Sequence, residues 1–269
     1  MTYLVGRVEM SGEQFEAMTR VLGWKYEYFL GAALITPRSC PVAAVIKLQS
    51  SEPHYSELEG LTRSEASLVE LYVEAFAPTV EYAGYSIDRV RERAVQSLNV
   101  HFQGQRGLVR PESKVFRVDG QTVGAALIVQ KAHGPHLDLL MVAPARHRTG
   151  IATSLLAAVS QALLESGEKR LTSAYQLANL HSRNWHLGAG FKEIPNHYSE
   201  QVRLRHLVRN GGSEVEIAAS RMALNWLEEL AEQHGADSVH TVNRILLPGD
   251  QSTSAPEWLR QSLDLFCET

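Results

Sequence analysis

Between Lys114 and Val142 three apolar runs follow one another too closely for a helix to fit between them. Lys114–Val118 and Gln121–Gln130 are joined by Asp119-Gly120, a dipeptide favoured in two-residue hairpins because both residues tolerate a positive φ. His136–Val142 continues the sheet, and Pro144 closes that strand. From Gly150 onward, Ile151, Leu155, Val159 and Leu163 recur at helical spacing until Gly167, and Leu171–Leu177 then reads as a further strand. A short helix begins near Leu180 and stops at Gly190, and Gln201–Val208 is read as one last strand.

Two helices are expected upstream of the hairpin. Thr62 with Glu65 forms a hydroxyl-to-acid start signal ahead of Leu68, Tyr72, Ala75 and Phe76, and Pro78 ends that segment. After a turn carrying Glu81, Tyr82 and Tyr85, Ser86 caps a second helix with Val90, Ala94 and Leu98 on one face. Strand, two helices, three strands, helix, strand, helix, strand is the order of an α/β fold of the α+β kind. Its central sheet is mixed and mostly antiparallel, flanked by helices.

That unit spans residues 43–210, leaving an N-terminal extension, 1–42, and a helical C-terminal extension, 211–269. The first holds a helix opened by Ser11 and Gln14, with Phe15, Met18 and Leu22 inward, and a strand pair, Tyr26–Ile35 and Pro41–Leu48, the latter entering the main sheet. In the last, Ser213 with Glu216 opens a helix whose stripe of Ala219, Met222, Ala223, Trp226, Leu227, Leu230 and Ala231 opposes Arg221, Asn225, Glu228, Glu229 and Glu232. A stripe does not choose between its own domain and a second copy in a homodimer; the intramolecular arrangement is the commoner one.

Lys and Arg total 26 against 30 Asp and Glu, and a net charge of -4 leaves no electrostatic footprint for nucleic acid or an anionic membrane. Cys40 and Cys267 lie too far apart for a cysteine metal cluster or a disulfide framework to be read, which fits a reducing compartment. No basic start with an apolar run and no stretch of roughly 18 apolar residues is present, so the chain is read as cytoplasmic. The histidines, including His101, His133, His197 and His206, have no His-Glu-x-x-His spacing, and no metal is expected.

The stretch from Leu140, Met141 and Val142 through Arg146, His147, Arg148 and Thr149 to Gly150, Ile151, Ala152 and Thr153 is a strand, a short basic turn and a glycine-bearing helix start. Free N–H groups and the positive dipole end of a helix bind phosphate, and Gly150 with Ala152 lets the backbone approach closely. An ordinary helix entry beside a basic turn is the plainer alternative. Neither the Gly-x-x-x-x-Gly-Lys loop nor the Gly-x-Gly-x-x-Gly fingerprint is present.

The run Val142-x-Pro144-x-x-His147-Arg148-x-Gly150-Ile151-Ala152 resembles the acetyl-CoA diphosphate loop of the GNAT (Gcn5-related) N-acetyltransferases, Gln/Arg-x-x-Gly-x-Gly/Ala. A second run, Asn179-x-x-Ser182-x-x-Trp185-His186-x-x-x-Gly190-Phe191, resembles the family's later motif. The resemblance covers about residues 43–210. It implies an acetyl-CoA-dependent transfer of an acetyl group directly to a primary amine of a small molecule or peptide. His147 replaces the usual Gln or Arg, Ala152 the second glycine, and Ala174 the glutamate that some relatives carry on the fifth strand. His186 stands where the family often has the tyrosine that protonates the departing thiolate, and Trp185, its neighbour, is expected to turn away from it into the core with Phe191.

Transfer from a thioester requires a neutral amine, a polarised carbonyl and a proton for sulfur. The resemblance assigns the carbonyl contact to backbone around Leu140–Val142, and the pantetheine arm or the loop to Asn179 and Ser182. His136 and Asp138 fall on one strand face with Leu140 and Val142 by alternation, and an imidazole beside a carboxylate there suits a general base. Strand-end polar residues in solvent are the plain reading of both. Glu81, Tyr82 and Tyr85 suit an ammonium-bearing acceptor: polyamine, aminoglycoside, amino acid, arylalkylamine or peptide N-terminus. A different class of function is a non-catalytic acyl-CoA-binding regulatory module. A slight resemblance of Glu13-Gln14-Phe15 and Lys25-Tyr26-Glu27-Tyr28, with Gly31 and Pro37, to the Uma2 nuclease-like family lacks any following nuclease motif.

Overall fold

The computed structural model describes residues 2–5, 8–10, 24–29, 32–37, 41–55, 58–61, 65–82, 85–177, 179–194 and 197–234. They divide into two compact units, Ile46–Ser173 and, separately, Met1–Val45 with Ala174–Thr269. The discontinuous unit begins with β1 (Thr2–Val5), β2 (Val8–Met10), β3 (Trp24–Phe29) and β4 (Ala32–Pro37). They form a four-stranded sheet in the order β2-β1-β4-β3, with β1 and β4 parallel. The run expected as one strand, Tyr26–Ile35, is therefore a hairpin: β3 and β4 pair antiparallel from Trp24↔Pro37 to Phe29↔Ala32. Gly31, a turn former by residue type, sits in the middle of that run. The helix expected from Ser11 lies outside the described residues. The next strand, β5 (Pro41–Lys47), was anticipated.

The continuous unit runs β6 (Leu58–Gly60), α1 (Ala66–Phe76), α2 (Ile87–Phe102), β7 (Leu108–Val109), β8 (Lys114–Val118), β9 (Gln121–Lys131), β10 (Gly134–Val142), α3 (Ile151–Glu165) and β11 (Arg170–Gln176). Its strands are ordered β11-β10-β9-β8-β6, with β7 also on β9. Among the described pairings of these strands β10 with β11 is parallel and the others are antiparallel, so the sheet is mixed and mostly antiparallel as expected. Asp119 (φ 50°) and Gly120 (φ 78°) make the β8–β9 turn left-handed at both central positions, the geometry that matches strand twist. Val123–Val129 of β9 are all buried, the mark of a strand covered on both faces, and α1 and α3 pack against it.

Helix α2 starts where the sequence places it: Ser86 Oγ accepts the Arg89 N–H at 3.3 Å, and Val90, Ala94 and Leu98 are buried. Helix α1 starts differently. Glu65, not Thr62, is the N-cap residue, and its carboxylate serves Arg117 at 2.6 Å rather than a backbone N–H. Thr62 itself lies outside the described residues. The short strands β6 and β7 were not anticipated, since two or three residues carry no periodicity.

The discontinuous unit resumes with α4 (Leu180–Gly188), β12 (Lys192–Ile194), α5 (His197–Asn210) and α6 (Glu214–His234). Strand β12 pairs antiparallel with β5. The last strand expected, Gln201–Val208, is the body of α5. Its Arg, Leu, Gln and His residues include strong helix formers, and Arg203 reaches Glu200 one turn back, so local propensity outweighs a short run of alternation. The start of α6 follows the sequence closely: Ser213 Oγ accepts the Glu216 N–H at 3.3 Å while the Glu216 carboxylate accepts the Ser213 N–H at 3.0 Å. Its buried residues Ser220, Ala223, Leu224, Trp226 and Leu227 define the inner face, and Met222 is exposed; α6 packs on α5 of its own chain. Among the described residues no helix is long and apolar enough to cross a membrane, and no group of three or more His, Cys, Asp or Glu residues is placed to hold a metal ion.

Candidate active site

Strand β10 ends at Val142, which pairs with Gly124 of β9, and the Ala143 N–H still bonds to the Val123 carbonyl at 2.9 Å. A single helical turn, Pro144–Arg146, follows. His147 folds back to donate Nε2–H to the Val142 carbonyl at 3.1 Å, and the Thr149 hydroxyl donates to the Arg146 carbonyl at 2.7 Å. Arg148 (φ 62°) and Gly150 (φ 87°) both take the left-handed conformation, which reverses the chain into α3. Gly150 caps the helix and its carbonyl takes the Ser154 N–H at 2.9 Å, so the N–H groups of Ile151, Ala152 and Thr153 have no partner within the helix.

The seating of that helix depends on a second glycine. A Cβ on Gly124 would stand 2.7 Å from Ile151 Cγ2 and 3.1 Å from Leu155 Cδ1, so only glycine lets the first turn of α3 lie this close to β9. Arg146, His147, Arg148 and Thr149 are exposed around the helix mouth. A Cβ on Gly150 would meet nothing within 4 Å but the rim of the His54 ring at 3.8 Å, so the backbone there is open to a ligand. N–H groups without a partner inside the helix, the helix dipole and basic side chains converge on one spot, an arrangement that fits a diphosphate.

Further back on β10 the alternation expected from the sequence fails. The register with β9 shifts between Leu137 and Leu139, so Asp138 is the extra residue of a bulge. His136 and Asp138 consequently do not pair. His136 is buried and donates Nδ1–H at 2.9 Å to the Thr172 hydroxyl, which itself donates to the Pro135 carbonyl. Asp138, 7% exposed, accepts from His101 Nδ1 at 2.9 Å and from Arg106 Nη1 at 3.1 Å, and Arg106 also reaches Ser97 Oγ at 2.8 Å. Burial pushes the Asp138 carboxyl up, but the His101 hydrogen bond and the Arg106 charge more than offset it and hold it below the ordinary carboxylate value. The imidazole beside the carboxylate thus comes from α2. His101 continues the Val90, Ala94, Leu98 stripe at helical spacing, the one signal by which sequence could have flagged it as buried.

The turn between α1 and α2 holds Glu81, half-buried, and an aromatic row. Tyr82 OH lies 2.7 Å from Tyr72 OH, and the Tyr82 ring is edge-on to Tyr72 at 6.3 Å and to Tyr85 at 5.8 Å. Tyr85 is 48% exposed, whereas burial and the Tyr72 hydroxyl push the Tyr82 phenol up. Tyr82 is therefore half a structural residue, with Tyr85 its exposed neighbour.

In the other unit Asn179 caps α4, its Oδ1 accepting the Ser182 N–H at 3.0 Å. His186, 4% exposed, donates Nδ1–H to the Ser182 carbonyl at 2.7 Å; the Ser182 hydroxyl is 3.4 Å away. Its ring lies among Tyr175, Trp185 and Phe191 with centroids 4.9, 4.9 and 5.0 Å away. The expected parting of Trp185 from His186 is not observed; both rings belong to one aromatic cluster, because wide rings on successive residues can still meet edge to face. Burial lowers the His186 pKa against the opposing effects of the Ser182 carbonyl and the Glu193 charge. Glu193 on β12 accepts from Arg183 at 2.7 Å, from Arg203 at 2.8 Å and from the Tyr175 hydroxyl. Sequence gave no sign of this network, whose members are separated by up to 28 residues.

Residues 95–206 match the family model for the acetyltransferase (GNAT) domain. That stretch of the chain is similar to GNAT acetyltransferase domains. The matched stretch runs from α2 through the Val142–Thr153 loop to α5, and so includes both motifs. Among solved structures the chain is similar to the aminoglycoside acetyltransferase AAC(6')-Iy in complex with a CoA bisubstrate analogue, at 18% identity over 52% of this chain and 95% of that one, TM-score 0.36. It is also similar to a GCN5-related N-acetyltransferase from Sphaerobacter thermophilus, at 17% identity over 57% and 48% of the two chains, TM-score 0.37. A functionally unknown protein from Staphylococcus epidermidis shares 11% identity over 69% and 65%, TM-score 0.42. No curated protein matches the chain. Within the matched stretch the residues that sequence reasoning missed, His101, Arg106 and Glu193, are those whose partners come from other elements.

Proposed function

We propose that the protein is a cytoplasmic N-acetyltransferase that moves the acetyl group of acetyl-CoA directly to a primary amine of a small molecule or peptide. The catalytic domain in this reading spans residues 43–210, with 1–42 and 211–269 as extensions. The observation that carries it is the mouth of α3: left-handed Arg148 and Gly150 turn the N–H groups of Ile151, Ala152 and Thr153 outward beneath exposed Arg146, His147 and Arg148. These groups hold the diphosphate of coenzyme A, and backbone of Leu140, Met141 and Val142 receives the thioester carbonyl as an oxyanion-type contact. Asn179 and Ser182 serve the pantetheine arm or its loop. Binding both reactants side by side supplies much of the acceleration.

Of the two β10 candidates for general base, His136 is the better suited. A carboxylate held below its ordinary pKa by two donors is a weak base, and an imidazole is intrinsically the stronger one. Asp138 anchors. His186 donates a proton to the departing thiolate only as imidazolium, because the one proton of its neutral ring sits on Nδ1 against Ser182. Glu81, Tyr82 and Tyr85 form the acceptor side, where a carboxylate among aromatics attracts an ammonium group.

A non-catalytic acyl-CoA-binding module is the second reading, favoured by the same commitments of Asp138 and His186 to structural partners. Release of free thiol from acetyl-CoA in the presence of polyamines, aminoglycosides, amino acids, arylalkylamines and peptide N-termini separates the two. Amine-dependent release supports transfer; coenzyme A binding with no release across the panel supports the module.

A further inference from the structure

The segment that leaves β5, as far as Tyr55, follows α3. It runs along α3 in the opposite direction, anchored four times: the Leu48 N–H bonds to the Lys169 carbonyl at 2.9 Å, Ser50 Oγ to Gln161 Oε1 at 2.9 Å, the His54 N–H to Ser154 Oγ at 3.1 Å, and Tyr55 OH to the Thr149 carbonyl at 2.7 Å. As the strap advances from 48 to 55, its partners step back from 169 to 149, ending on the turn that opens α3. Ser154 is buried in the first turn of the helix, and the Tyr55 ring is packed on Phe116 of β8 with centroids 4.7 Å apart. The hydroxyl that meets Thr149 is thus delivered by a ring the sheet holds in place.

We propose that this strap is part of the diphosphate site, with Tyr55 a positioning residue that acts through the peptide between Thr149 and Gly150. The proposal rests on coenzyme A binding at the mouth of α3. A trans peptide is planar, so its C=O and the following N–H point in opposite directions. Holding the Thr149 carbonyl towards the strap fixes the Gly150 N–H away from it, next to the open N–H groups of Ile151 and Ala152. Gly150 has no Cβ to lock its own torsions, and Thr149 lies between two left-handed residues, so this peptide plane is the part of the loop that most needs an outside restraint. His54, whose ring edge would be 3.8 Å from a Cβ on Gly150, closes the same side of the loop.

Tyr55→Phe removes the hydroxyl and keeps the ring on Phe116, and Tyr55→Leu removes both. Titration of coenzyme A should show affinity lowered roughly 3- to 10-fold in Tyr55→Phe, as expected for one hydrogen bond, with the melting temperature of the unliganded protein unchanged. Tyr55→Leu should lower that melting temperature as well. Wild-type affinity in Tyr55→Phe, with affinity lost in Gly150→Asp, would overturn the strap's role and leave the site standing. If neither variant changes coenzyme A binding, the site at α3 itself falls. A Tyr55→Phe protein that loses affinity only together with an unliganded melting temperature as low as that of Tyr55→Leu would make Tyr55 a packing residue, which also overturns the proposal.

Discussion

His101 Nδ1 lies 2.9 Å from Asp138 Oδ2 and joins the end of α2 to the bulge in β10. The imidazole is fully buried and the carboxylate nearly so, with Arg106 as second donor. A bulge leaves one residue outside the ladder, and here that residue is fastened sideways to a helix. The bulge sits immediately before Leu140–Val142, the backbone proposed to receive the thioester.

Removing one member of a buried charged group leaves the others unpaired, at a typical cost of 3–5 kcal/mol. Asp138→Ala should therefore lose about 2–4 kcal/mol in urea unfolding, the lower bound reflecting the partial exposure of Arg106. Glu70→Ala, which breaks an exposed pair with Arg91, should lose less than about 1 kcal/mol. Equal losses would mean that the anchor contributes no more than a surface ion pair.

Gly124→Ala tests how tightly the helix must sit. The added methyl meets Ile151 and Leu155 of α3 inside contact distance, so the first turn must move outward. Overpacking of this kind costs roughly 1–3 kcal/mol, and coenzyme A affinity should fall with it because the open N–H groups belong to that turn. A Gly124→Ala protein with wild-type stability and affinity would show that α3 tolerates displacement.

The strands of the meander and both capped helices at Ser86 and Ser213 were legible, because hairpin dipeptides and capping residues act within four residues of themselves. Gln201–Val208 reads equally as strand or helix, since Val202, Leu204 and Val208 at even spacing among Arg203, Arg205 and His206 satisfy a period of 2 about as well as a helix. The loop from Val142 to Thr153 was legible for the same local reason as the caps. The partners of Asp138 and His186 were not. A bulge changes the face of every later residue without changing the sequence pattern, and His101 reaches Asp138 across 37 positions.

Kinetics at varied pH bear on His186. Burial lowers its pKa from 6.5, so the imidazolium needed for donation is lost as pH rises through a value below 6.5. Turnover dependent on this ring should fall across that acidic range, and His186→Phe should abolish the limb with a loss of roughly ten- to a thousand-fold. Unaltered turnover and pH profile in His186→Phe would leave the ring a member of the aromatic cluster with Tyr175, Trp185 and Phe191 and nothing more.

Glu193 makes stability depend on acid. Burial alone would raise its carboxyl, but the Arg203 charge and the Arg183 hydrogen bond bring it down to about 2 from 4.5. A depressed carboxyl contributes stability above its unfolded value, so the contribution, about 3 kcal/mol, is intact above pH 4.5 and is lost progressively from there towards pH 2. Urea midpoints measured between pH 7 and pH 3 should fall accordingly. Glu193→Gln should be destabilised already at pH 7 and show a flatter dependence; a slope equal to that of the wild type would assign the acid sensitivity to other carboxylates.

Calorimetric titration of coenzyme A into the wild-type protein and into Gly150→Asp tests the central claim most directly. Aspartate at position 150 adds a side chain and a negative charge where the backbone is open and the diphosphate is proposed to lie, while aspartate tolerates the left-handed φ of 87° better than most residues, so the fold is kept. The account predicts binding by the wild type and none by a Gly150→Asp protein with wild-type circular dichroism. Equal binding by the two proteins, or no binding by the wild type, would contradict it.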